Sequence, residues 1–69
     1  MISKILEMIG NWMIQTRKEK NITQANLAEL CGLHEGVIRR YEREGYLTCS
    51  LHRMILIARQ LEMYNPRKG

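Results

Sequence analysis

Thr23 to Glu42, TQANLAELCGLHEGVIRRYE, reads as two short helices joined by a tight turn. Thr23 has a hydroxyl that can satisfy free amides at a helix start, and Ala25, Leu27, Ala28, Leu30 and Cys31 continue the first helix. Gly32 then stops it, because glycine reaches positive φ without steric cost and is the commonest residue just past a helix end. Leu33 follows as a plug. His34 stands as a capping or turn residue at the start of a second helix, in which Val37, Ile38 and Tyr41 share one face. The opposite face carries Glu35, Gly36, Arg39 and Arg40. Such a helix packs with its back and presents its front.

Across 21 ungapped residues the pattern is I-T-Q-x-x-L-A-x-x-x-G-L-x-x-x-x-I-x-R-Y-E, carried by Ile22, Thr23, Gln24, Leu27, Ala28, Gly32, Leu33, Ile38, Arg40, Tyr41 and Glu42. This resembles the helix-turn-helix of the phage Cro and repressor family, the xenobiotic-response-element type, and the resemblance extends from Ile9 to Met63. It implies an all-α, compact four- to five-helix bundle, lambda-repressor-like. The implied organisation is a DNA-binding domain over residues 1–63, with its helix-turn-helix at 23–42, and a flexible basic tail over 64–69.

An α-helix fits the major groove of B-DNA, where each base pair shows its own pattern of donors and acceptors. By the resemblance, base reading falls on Gln24, Glu35, Gly36 and Arg40, with Arg39 adjacent. Arg39 or Arg40 can bond guanine N7 and O6, Gln24 can bond adenine or phosphate, and Glu35 can accept from cytosine N4. Gly36 supplies no side chain and lets the helix approach closely. Phosphate contacts are expected from Arg43, Thr48, Ser50 and Arg53. The resemblance also implies a structural ion pair between Arg17 and Glu42. The loop after Glu42 departs from the commonest family form: it is one residue longer, and Cys49 replaces the proline usual near the next helix start.

Sixty-nine residues allow one small domain, which buries about 60% of its unfolded surface. Eleven Lys and Arg against seven Asp and Glu give a formal charge of +4, suited to a polyanion such as double-stranded DNA. No apolar run reaches the roughly 18 residues of a membrane span, so a cytoplasmic protein without a membrane partner is expected. No nucleophile with a base at recognisable spacing, carboxylate pair or phosphate loop points to an enzyme, and no cofactor is implied. Cys31-x2-His34 and Cys49-x2-His52 could suggest zinc. Cys31 belongs to the apolar side of its helix, however, and a reading helix and loop separate the two pairs, so no metal and reduced thiols are expected.

Residues 1–20 read as a long first helix with Ser3 as a possible cap. Ile2, Leu6, Ile9 and Met13 form one apolar stripe, and Ile5, Met8 and Trp12 widen it to an arc of about 160°, more than the roughly 100° a core-facing helix needs. The excess is either a few harmless exposed residues or an association surface of Ile2, Ile5, Met8 and Trp12. The run Arg17 to Lys20 reads as a solvated face, Arg17 excepted. Ser50 can cap a last helix, 51–62, with Leu51, Met54, Ile57, Ala58 and Leu61 inward. Ile55 and Leu56 add apolar surface to a dimer or partner face. A homodimeric operator-binding regulator, of repressor type, is the leading expectation. The alternative is an antitoxin-like or regulator-binding module that uses the same fold to engage a protein partner.

Overall fold

The computed structural model describes residues 2–65, with side chains from Lys4 to Asn65. Ile2, expected in the association surface, and residues 66–69 of the expected tail lie outside the described side chains. Four helices follow in order: α1 Ile2–Glu19, α2 Gln24–Cys31, α3 Glu35–Arg43 and α4 Leu51–Met63. The fold is all-α, with α2 packed on α3 and α4, and α1 on α4.

Local chemistry sets most helix ends. The Thr23 hydroxyl accepts from the Asn26 amide at 3.0 Å and donates to Asn26 Oδ1 at 2.7 Å, closing the start of α2. Gly32, at φ 71°, ends it with Leu33 N–H donating to Ala28 O and Gly32 N–H donating to Glu29 O. Asn21, at φ 57°, ends α1 by the same paired pattern, from Ile22 to Arg17 and from Asn21 to Lys18. Ser50 Oγ accepts from the Arg53 amide and caps α4. His34 occupies the position before α3 without a side-chain capping bond. Ser3, expected as a cap, lies within the first turn of α1.

The core gathers Met13 of α1, Ile22, Leu27 and Ala28, Ile38 and Tyr41 of α3, Tyr46 of the following loop, and Met54, Ile57 and Leu61 of α4. Each fully buried large side chain contributes about 1.5–3 kcal/mol of transfer free energy. Tyr41 and Tyr46 stack at a tilt with centroids 5.8 Å apart. Cys49 lies buried beside them, whereas Cys31, expected in a buried position, is half-buried; neither forms a disulfide.

The phase of α1 differs from expectation. Leu6, Gly10, Met13 and Arg17, at spacings of four, three and four, face the body, and Ile9 is 36% exposed. Gly10 explains the rotation. A Cβ there would lie 2.2 Å from the Gly45 carbonyl oxygen, so only glycine lets the helix press against the Gly45–Tyr46 loop. Leu51, also expected inward, is 68% exposed. It is the first residue of α4, at the edge of the Met54, Ile57, Leu61 face. Lys20 corrects the solvated-face reading: its ammonium donates to the carbonyls of Leu61, Glu62 and Tyr64, tying the end of α1 to the C-terminus of α4. Cations at helix C-termini complement the helix dipole there.

Burial raises the Cys49 thiol above its ordinary 9.0, with the Tyr41 hydrogen bond and the Arg53 charge drawing it part-way back. Burial raises Cys31 as well, against Arg53. The Tyr46 phenol is pushed up by burial first and by the Glu42 carboxylate second. Folded values above unfolded values mean that this contribution to stability is complete below the unfolded pKa and is lost as pH rises through the folded one. The urea midpoint should therefore fall between about pH 8 and about pH 10.5. An unchanged midpoint would show that these groups ionise as easily in the fold as outside it.

Candidate nucleic-acid interface

On α3, at 100° per residue, Ile38 and Tyr41 point to the core and Glu35, Gly36, Arg39, Arg40 and Arg43 share an outward arc of roughly 140°. All five outward residues are exposed. The arc therefore carries three guanidiniums and one carboxylate. Glu35 and Arg39 face each other one turn apart, with a 3.1 Å ion pair. An exposed pair of this kind contributes only about 0.3–0.5 kcal/mol, so it exchanges readily for a ligand's hydrogen bonds. Arg40 and Arg43 add positive charge further along. The Arg40 guanidinium sits 5.7 Å from the Tyr41 ring centroid. At Gly36 the space a Cβ would occupy is open, leaving the backbone near the start of α3 accessible at close range.

Behind this face lies a part-buried polar clamp. Arg17 Nε donates to Glu42 Oε2 at 2.6 Å and Arg17 Nη2 to Glu42 Oε1 at 3.0 Å, with the two side chains 11% and 8% exposed. Arg17 Nη1 also donates to Ile22 O at 2.8 Å. The planar guanidinium thus ties the end of α1, the turn before α2 and the end of α3 together. Gln24 joins the same network, its amide nitrogen donating to Glu42 Oε1 at 2.9 Å. Half-buried Gln24 therefore spends a donor on Glu42, and its remaining acceptor suits a donor on DNA. This link between the first residue of α2 and the clamp has no local sequence signal.

The expected phosphate residues are distributed unevenly. Arg43 lies on the outward arc. Ser50 Oγ is the cap of α4, and Arg53 donates to the Tyr41 hydroxyl at 3.2 Å from a half-buried position. Thr48 Oγ1 donates to Glu44 Oε1, which places an anion beside an expected phosphate contact. Short polar side chains in turns satisfy neighbouring groups first, and that competition is not visible in residue type alone.

Apart from this face, Ile5, Met8, Ile9 and Trp12 line an open apolar surface on α1. Ile55 of α4 is exposed and Leu56 is half-buried. Among the described residues, no three His, Cys, Asp or Glu side chains gather in one place, and no helix is long and apolar enough to cross a membrane.

A helix-turn-helix family model matches residues 13–67. The chain belongs to the Cro/C1-type helix-turn-helix family. The matched span takes in α2, α3 and α4 and only the C-terminal part of α1, and it identifies a DNA-binding helix-turn-helix domain. α3 is the second helix of the helix-turn-helix, and its outward arc is the candidate nucleic-acid face. The apolar surface of α1 lies before the first matched residue. No curated protein and no solved structure matches the chain.

Proposed function

We propose that the protein is a sequence-specific transcriptional regulator, a repressor that occupies an operator as a homodimer. Residues 1–63 form the DNA-binding unit and residues 64–69 a basic appendage. In the cytoplasm, α3 enters the major groove and covers promoter DNA against other proteins. Arg39 and Arg40 read guanine through N7 and O6, Glu35 accepts from a cytosine amino group, and Gln24 contacts the flank of the site. Arg43, the amides at the helix starts and, to a lesser degree, Thr48, Ser50 and Arg53 position the domain on phosphates. The observation that carries this reading is the outward arc of α3, which gathers Arg39, Arg40 and Arg43 while the part-buried Arg17–Glu42 clamp ties the helix down behind it.

One recognition helix covers one half-site, so operator affinity calls for two copies whose α3 helices enter successive major grooves. With Gly36 in place of a side chain, few base contacts are available, and part of the specificity comes from sequence-dependent DNA shape. Selection of bound duplexes from a random pool at physiological salt tests this. The expected result is a palindromic consensus with half-sites about one helical turn apart. A pool that stays random, with binding governed by salt alone, would refute specific reading and favour the protein-interaction alternative.

A further inference from the structure

We infer that Ile5, Met8, Ile9 and Trp12 on α1 pair antiparallel with the same four residues of a second copy of this chain. The inference deepens the dimer half of the proposed function and rests on it. Three observations choose this occupant. The stripe reads the same in both directions: its spacings are three, one and three, so a two-fold axis between Met8 and Ile9 superposes it on itself. Ile5 then faces Trp12 of the second copy, and Met8 faces Ile9. Such self-complementarity is what an isologous contact requires.

Charge agrees with the same register. The stripe, about 100° wide at 100° per residue, contains no ionisable side chain. Lys4 on its flank meets the neutral Asn11 and Gln15 of the second copy, and Glu7 lies on the far side of the helix, so no like charges face each other across the axis. Position agrees as well. The stripe precedes the family-matched residues, which begin at Met13, so it lies on the helix that extends beyond the reading module. It is built from α1 alone and uses no residue of the α3 outward arc.

Exposure bounds the strength. The four partly exposed side chains offer on the order of 400 Å² of apolar surface per copy. A standard interface supplies about 800 Å² per partner, so free dimers form weakly and an operator that holds two copies side by side strengthens them.

Trp12 is the chain's only tryptophan, so its emission reports this contact directly. The experiment is sedimentation equilibrium and Trp12 fluorescence of the full chain from about 5 µM to about 1 mM. Dimerisation accompanied by a blue shift of Trp12 is expected. Met8 is 64% exposed, so Met8→Glu should keep the helical circular dichroism while raising the dimer Kd by at least roughly tenfold. Ile9→Lys should do the same. An equimolar mixture of Met8→Glu and Ile9→Lys should recover the dimer, because those positions face each other. A wild-type chain that stays monomeric throughout overturns the inference. So does a dimer that ignores Met8→Glu and leaves Trp12 emission unchanged; a palindromic consensus would then survive, with its dimer on another surface.

Discussion

Glu42→Ala is expected to cost about 3–5 kcal/mol of folding stability, because it leaves Arg17 in a nearly closed site without its anion. A chain of this length holds only roughly 3–10 kcal/mol in all, so the variant should be largely unfolded or close to it. Arg17 would keep its bond to Ile22 O, and Gln24 would lose its acceptor, so α2 and α3 would both lose an anchor. Glu42→Gln retains size and hydrogen-bonding capacity and should be less harmful. Arg17→Ala strands Glu42 with Gln24 and should resemble Glu42→Ala. The double alanine variant should cost less than the sum of the two, the signature of residues that act as one unit. Urea denaturation followed by circular dichroism measures all four. A midpoint unchanged in Glu42→Ala would show that packing alone holds α1 to α3.

Gly10→Ala is the second large effect, and its sign is the informative part. In an isolated helix alanine is favoured over glycine by about 1 kcal/mol. Here the added methyl would stand 2.2 Å from the Gly45 carbonyl oxygen and 3.0 Å from its carbonyl carbon. Backbone cannot swing aside as a long side chain can, so α1 and the 44–50 loop must separate. Overpacking of this kind costs about 1–3 kcal/mol, and the buried Tyr46 would shift with the loop. A lower thermal midpoint in Gly10→Ala is expected, whereas a higher one would mean that the close approach is not a constraint.

Much of the fold was legible because it follows from chemistry between near neighbours. Thr23, Gly32, Asn21 and Ser50 end helices through groups three to five residues away, and their residue types announce it. The phase of α1 was not legible. Two apolar stripes lie side by side on that helix, and periodicity cannot say which faces inward. The contact between Gly10 and Gly45, 35 positions apart, decides it and moves Ile9 outward. An isolated glycine inside an apolar helix was the available signal, since such glycines often mark a close approach. Lys20 escaped notice for a similar reason, as its carbonyl partners lie more than 40 residues away. In the candidate interface, the outward arc of α3 was readable from helical spacing. The commitments of Gln24, Arg53 and Thr48 to protein partners were not, because each depends on which acceptor the fold brings nearest.

The central claim is that the outward face of α3 reads bases, and the most direct test is discrimination rather than affinity. Binding of the intact chain and of an Arg39→Ala, Arg40→Ala variant should be measured on the selected duplex and on a set with each base pair changed in turn. At the guanines the arginines contact, the intact chain should lose about 1–3 kcal/mol per changed pair, and the variant should no longer distinguish those pairs. If the variant instead binds every duplex more weakly by the same factor and keeps the full pattern of discrimination, the two arginines only hold phosphates and α3 is not the reading element.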